Sequence, residues 1–206
     1  MPTSPPPTAD PHARGSVLHG LRTAVLDLWG PQGLEGVAEQ LPVSSRLATI
    51  DGIVLPFEWL PVEHVIAWHD AMWNGPACRD ERELARLVAR SIELGLGRFK
   101  SAFFTGITPE RLVERAQEMW RYQHTHGEVQ ITVEGTSGTV VLRSHPFVDH
   151  ACSRRVVAES YRHIVTTTGA RDVTAAWGGV GGGGVGGGGG SGGPSGALVV
   201  HLSWRA

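Results

Sequence analysis

The sequence predicts an α+β domain: a four-or-more-stranded antiparallel sheet with helices packed mainly on one face. Three observations carry that expectation. Across residues 128–143, and again near the C-terminus, apolar residues alternate with polar ones, the period of a half-buried strand. Several earlier and intervening segments instead repeat apolar residues at helical spacing. Glycine, proline and asparagine punctuate the joins. A sheet that is apolar on one side must be covered there, and the helices supply the cover.

The chain of 206 residues is long enough for one well-formed domain. Residues 1–15 hold five prolines and read as a disordered arm. Residues 16–206 form the single domain, interrupted by a flexible Gly-rich loop at 178–196. A first helix fits Val17–Trp29, with Val17, Leu18, Leu21, Val25 and Leu28 on one stripe, and Gly30-Pro31 stops it. A short helix covers Gly33–Gln40 before Pro42. Residues 43–60 are mixed, and Pro56 argues against a central strand there.

Pro61 suits the first position of a helix reaching Trp73. Val65, Trp68, His69 and Met72 share one face of it. Asp80 and Glu83 have the spacing of a capping box for the next helix, with Leu84, Leu87 and Val88 inward and Gly95 and Gly97 interrupting it before "RFKSAFF". Thr108-Pro109-Glu110 is a helix start built from a cap, a proline and an acid. Leu112, Ala116, Met119 and Trp120 follow at helical spacing. Val129, Ile131 and Val133 then alternate with polar residues, and Gly135–Gly138 turns the chain into Thr139–Arg143. Asp149 can cap a helix whose buried stripe is Val157, Tyr161, Ile164 and Val165, with Gly169 as its C-cap. Two closing strands alternate through Val173, Ala175 and Trp177, and through Leu198, Val200, Leu202 and Trp204.

Composition excludes several function classes. The net charge of −2, with both signs interspersed, gives no electrostatic footprint for nucleic acid or an anionic membrane. No apolar run is long enough to span a bilayer, and the N-terminus lacks the apolar core of a signal peptide. Two cysteines make no disulfide framework or zinc spacing, so a cytoplasmic protein with reduced thiols is expected. There is no GxSxG nucleophile and no HExxH; Glu63 and Asp70 lean toward solvent, and an enzyme is not expected. The 14 glycines of residues 178–196 contain GxGxxG only trivially, with no βαβ unit around them.

Histidine and tryptophan are the remaining anomalies, with ten of the first and seven of the second. Tryptophans usually anchor cores, and some can line an apolar cavity between helices and sheet. Trp68, His69, Met72, Trp120 and Tyr161 are the candidate pocket residues. His69 reads as a core histidine with a plain hydrogen-bond partner. His124 and His126, together with His145, read as exposed groups near a helix C-terminus. His150 and Cys152 open a helix and are the candidate metal ligands, with a thiol whose pKa is lowered there. No cofactor is expected from these residues, with a metal ion as the alternative they leave open.

The order of elements is itself informative. A helix carrying Trp120 leads into the hairpin "GEVQITVEGTSGTVVLRSHP", then the helix "DHACSRRVVAESYRHIVTTTGA", then "RDVTAAW" and "ALVVHLSW". This order resembles the vinyl-reductase/TRAPP-like superfamily of small ligand-binding domains, which includes haem-NO-binding domains. It is also similar to a paralogous myxobacterial family of similar length, a domain of unknown function. The resemblance implies a regulatory domain that senses a small hydrophobic ligand or binds a protein partner. Its alternatives are a haem- or metal-dependent sensor and an accessory domain of a tetrapyrrole-related enzyme. The haem sensors of the superfamily use a helix histidine as axial ligand and a Tyr-x-Ser-x-Arg motif for the propionates; "SYRH" at 160–163 does not match it. A Cys at the position of Cys152 recurs in vinyl-reductase-like domains, but its partner cysteines near the last strands are absent here. The resemblance also implies a homodimer. Val62, Ile66 and Trp73, off the main stripe of their helix, suggest a second apolar side for a partner.

Overall fold

A computed structural model describes residues 10–96, 108–179 and 196–205. The order is β1 (His12–Arg14), α1 (Gly15–Gln40), α2 (Val43–Thr49), β2 (Trp59–Pro61), α3 (Val62–Asn74), α4 (Glu81–Leu96), α5 (Pro109–Gln123), β3 (Glu128–Glu134), β4 (Ser137–Arg143), a 3-10 turn (Pro146–Val148), α6 (Ala151–Thr167), β5 (Arg171–Gly179) and β6 (Ala197–Arg205). Helices precede and interrupt one antiparallel sheet of order β3-β4-β6-β5, as the period-two segments require.

Register explains why one face of that sheet is apolar. Val140 lies opposite Val200, and Leu142 lies between Val129 and Leu198. Side chains alternate between faces, so Leu198, Val200, Leu202 and Trp204 are all buried while His201 and Ser203 point to solvent. On the solvent side, Thr174 and Ser203 share a hydrogen bond of 2.7 Å. α5 packs beside β3 and α6 beside β5; α1, α3 and α4 complete the helical layer.

The expected break at Gly30-Pro31 is found as a kink that joins the two helical segments of α1. Gly30 takes φ +66°, a conformation glycine adopts at no steric cost, and helical hydrogen bonding resumes beyond Pro31. In α4, Asp80 caps as expected, its carboxylate accepting from the Arg82 amide at 2.7 Å. Glu83 does not complete a capping box; it pairs with Arg86. The expected interruption at Gly95 is not found, because α4 runs to Leu96; Gly97 and the following "RFKSAFF" lie outside the described residues.

Several expectations need correction. Within the expected arm of residues 1–15, His12–Arg14 is a strand: it pairs antiparallel with Trp59–Pro61, and Ala13 is fully buried. Arg14 is held between the rings of Trp59 and Tyr122, 4.7 Å from each centroid, a cation–π sandwich that three residues of sequence do not announce. Residues 43–49 are helical. At its other boundary, the Gly-rich loop is shorter than 178–196, because Gly178 and Gly179 pair with Val199 and Leu198; residues 180–195 lie outside the described ones. Asp149 ends the 3-10 turn, so His150, not Asp149, takes the cap position of α6.

The second apolar side of α3 is covered within the chain. α3 contacts both α1 and α6. Val62 is buried, Ile66 and Trp73 are half-buried against the core, and the Arg155 guanidinium sits 5.0 Å from the Trp73 ring. That helix gives no reason for a dimer. Among the described residues, no helix is long and apolar enough to cross a membrane.

Candidate functional site

Between the helical layer and the apolar face of the sheet lies a cavity of about 250 Å³. α1 contributes Val17 and Leu21, α5 contributes Leu112, Ala116 and Met119, and the sheet contributes Ile131, Val140, Leu202 and Trp204. α6 closes it with Val156, Val157, Tyr161, Ile164 and Val165.

The cavity hydroxyls are mostly committed to local partners. Ser91 and Ser160 donate to the carbonyls of Val88 and Val156, and Ser16 donates to the Gln123 side chain. Serines satisfied in this way have no free donor for a ligand and keep only acceptor lone pairs.

Besides the Tyr161 hydroxyl on α6, the uncommitted polar atoms belong to a histidine–aromatic cluster at one end. α5 stops at Gln123, and His124 leaves the helix in extended conformation, its amide donating to Trp120 O at 2.8 Å. A β-bridge to Ala13 and a bond from the Thr125 amide to His12 O fix it there. The His124 ring stacks on Trp120 at 4.1 Å. Trp120 is anchored in turn, its indole donating to His126 O at 2.7 Å. Gly127 permits this closeness: it has φ +95°, and a Cβ there would stand 2.7 Å from the indole nitrogen.

His145 meets His124 edge-on, with centroids 5.0 Å apart, and Phe147 packs against both. Its Nδ1 accepts from the Phe147 amide at 3.2 Å, so the neutral ring carries its proton on Nε2, which is sealed and unpartnered among the described residues. His69 reaches the cluster from α3. Its Nδ1 shares a hydrogen bond of 3.0 Å with the fully buried Ser153 hydroxyl, and its ring lies 5.1 Å from Phe147. The sequence reading of a partnered core histidine fits His69, which also forms part of the cavity wall.

Electrostatics keeps the cluster uncharged. Burial first, and the nearby charge of His150 second, lower the His69 pKa to about 3. Burial and then His126 lower His145 to about 3, and burial holds His124 well below the usual histidine range. Burial likewise raises the Tyr161 hydroxyl, so it remains a donor.

Of the candidate pocket residues, His69, Trp120 and Tyr161 line the cavity. Trp68 and Met72 lie on the same stripe of α3 but are fully buried outside it; the Trp68 indole donates to Thr49 Oγ1 at 2.7 Å. Burial reverses the expectation for Cys152: with Asp70 beside it, the thiol is pushed up to about 12, so it is not a reactive thiolate. His150 is exposed. Among the described residues, no group of three or more His, Cys, Asp or Glu side chains is arranged to hold a metal ion. His124 and His145, expected at the surface, are instead 7% and 4% exposed. Their clustering with Trp120 was foreshadowed only by the local density of histidine.

No family model matches the sequence, and no curated protein matches it. Solved structures do match the fold. An H-NOX protein variant from K. algicida, in an unliganded Fe(II) form, superposes with a TM-score of 0.62 at 9% identity, over 94% of this chain and 97% of that one. A structure from work on heme distortion in the H-NOX family gives 0.62 at 10% identity, over 94% and 95%. An oxygen-binding H-NOX domain related to soluble guanylate cyclases, in its oxygen complex, gives 0.59 at 10% identity over the same shares. The fold is therefore H-NOX-like, the haem-NO-binding branch of the resemblance. The comparisons lend no support to the vinyl-reductase, TRAPP-like or myxobacterial parts of it.

Proposed function

We propose that this domain is a non-catalytic sensor that binds a small, uncharged, largely apolar ligand in the cavity between α1, α5, α6 and the sheet. The observation that carries this reading is the cavity itself: apolar walls, with uncharged histidines at one end. Cores are normally packed to crystal-like density, so a void of this size forgoes contacts that a ligand would restore. A ligand there would bridge helices and sheet and bias whatever small motion separates them. Catalysis finds no support: the Ser153–His69 pair has its hydroxyl buried away from the cavity, and the cavity serines are committed to local acceptors.

Haem is the ligand that the fold likeness brings forward, and it makes three demands. It needs an uncharged imidazole nitrogen for iron. Neutral His124 meets that demand, with no protein hydrogen bond on its ring among the described residues. It needs room, and about 250 Å³ falls short of the ~300–1,000 Å³ typical of ligand pockets. It needs cations for two propionates, and among the described residues no Lys or Arg lines the cavity. The residues described do not fit haem. A haem-dependent sensor stays the second reading, favoured by the H-NOX-like fold and the free His124 ring.

One preparation separates the two. The protein purified from cells supplied with excess haem precursor should show no Soret band, and native mass spectrometry should find a small adduct released on denaturation. A stoichiometric Soret band would overturn the first reading in favour of the second.

A further inference from the structure

The cavity has polarity at a defined place, and that constrains the ligand beyond being apolar. His69 and His124 both line it, and both ring-pack on Phe147, at 5.1 and 5.4 Å, so they stand at one end together. His69 Nδ1 is taken by Ser153, which leaves Nε2 without a partner among the described residues. Neither nitrogen of His124 has a partner there, and Nδ1 is sealed. Each neutral imidazole must present one donor and one acceptor. Buried polar groups left unsatisfied are costly, and a partner from outside the chain would relieve that cost.

Beyond this end the lining is mostly hydrocarbon, with the Tyr161 hydroxyl and the side chains of Ser16, Ser91, Gln123 and Ser160 as its polar groups. Trp120 and Phe147 add ring surfaces beside the histidines, stacked or edge-on to them. A ligand entering here therefore buries a ring or short chain against carbon and meets one hydrogen-bonding pair at its tip. A cavity of about 250 Å³ lies just under the ~300–1,000 Å³ typical of drug-sized ligands, so it suits a small molecule.

We infer that the occupant is a neutral compound of about that size with an apolar, ring-like body and a single hydroxyl head seated against His124 and His69, the chemistry of a small alkylphenol. A hydroxyl both donates and accepts, so it satisfies either tautomer of either ring. A carboxylate is disfavoured, because among the described residues the lining offers no cation to offset its desolvation. A plain hydrocarbon fills the space but leaves the imidazoles unsatisfied. This inference rests on the cavity being the binding site.

The test is calorimetric titration of the full chain with three probes: 4-ethylphenol, its near-isostere 4-ethyltoluene, and 4-methylbenzoate. The phenol should bind about tenfold tighter than the hydrocarbon, as one satisfied buried hydrogen bond allows, and the benzoate should bind weakest. In His124→Phe the preference for the phenol should shrink to within about twofold while the hydrocarbon binds at least as well. Should that variant fail to fold, the rank order on the wild-type protein decides alone. Equal binding of phenol and hydrocarbon would overturn the head-group assignment and leave the cavity reading standing. Heat from none of the three, up to their solubility limits, would overturn both.

Discussion

Acidification should unfold this protein earlier than its carboxylates require, because three buried histidines are held neutral. In the unfolded chain each titrates near 6.5; in the folded state His69 and His145 are lowered to about 3. A lowered folded pKa means that the unfolded state binds more protons between those values. The stability conferred is thus complete above pH 6.5 and is lost as pH falls toward 3. At pH 5 each of the two costs about 2 kcal/mol relative to pH 8, or about 4 kcal/mol together. His124 adds to this in the same direction. Both residues are at most 4% exposed, so solvent screening takes little away. The total is a large share of the ~5–15 kcal/mol typical of a domain. Asp27 and Glu110, both held below the usual carboxylate range, begin to lose their stabilisation only below their unfolded values, so they add little at pH 5. Urea denaturation at pH 8 and pH 5, at one ionic strength, should place the midpoints about 1–2 M apart for a slope of ~2–3 kcal/mol/M. His145→Phe should reduce that gap. Coincident midpoints would refute the claim that the cluster is buried and neutral.

Three further outcomes follow from local geometry. Gly127→Ala should destabilise by about 1–3 kcal/mol and shift Trp120 fluorescence, because the residue needs φ +95° and its Cβ would strike the indole; an unchanged spectrum and melting curve would deny that contact. Ser153→Ala should cost about 1–3 kcal/mol by leaving His69 Nδ1 unpaired, with the pH dependence retained, as denaturant titration would show. Replacing residues 180–195 by a short turn should leave the melting temperature unchanged or raise it, since β5 and β6 already pair through Gly179 and Leu198 and loop closure depends weakly on length; a collapse of folding would count against the linker reading.

The sheet was legible because its register buries one face, and burial on one face imposes period two on the residues. Leu198, Val200, Leu202 and Trp204 announce themselves in that way. The helices were legible from stripes and stops, including the start at Thr108-Pro109-Glu110. What escaped was whatever depends on contacts far apart in sequence. β1 is three residues long, too short for any period, and exists because Arg14 finds Trp59 and Tyr122. His124 and His145 look like surface residues after a helix and before a proline; only the closure of the β3–β4 hairpin against α5 buries them together. Trp68, His69 and Met72 share a stripe, yet their neighbours differ: α2 covers Trp68, while His69 alone of the three reaches the cavity. Helical spacing says which side is inward, not what is met there. Cys152 fails for the same reason, since a position at a helix start suggests a lowered pKa and burial beside Asp70 imposes the opposite.

The most direct test of the account is a crystal structure of the protein soaked with 4-ethylphenol. The account predicts ordered density for the ring between α5, α6 and the sheet, with the hydroxyl within hydrogen-bond distance of His124 or His69. A cavity that stays empty at saturating ligand, or one holding a porphyrin in the unsoaked crystal, would contradict it.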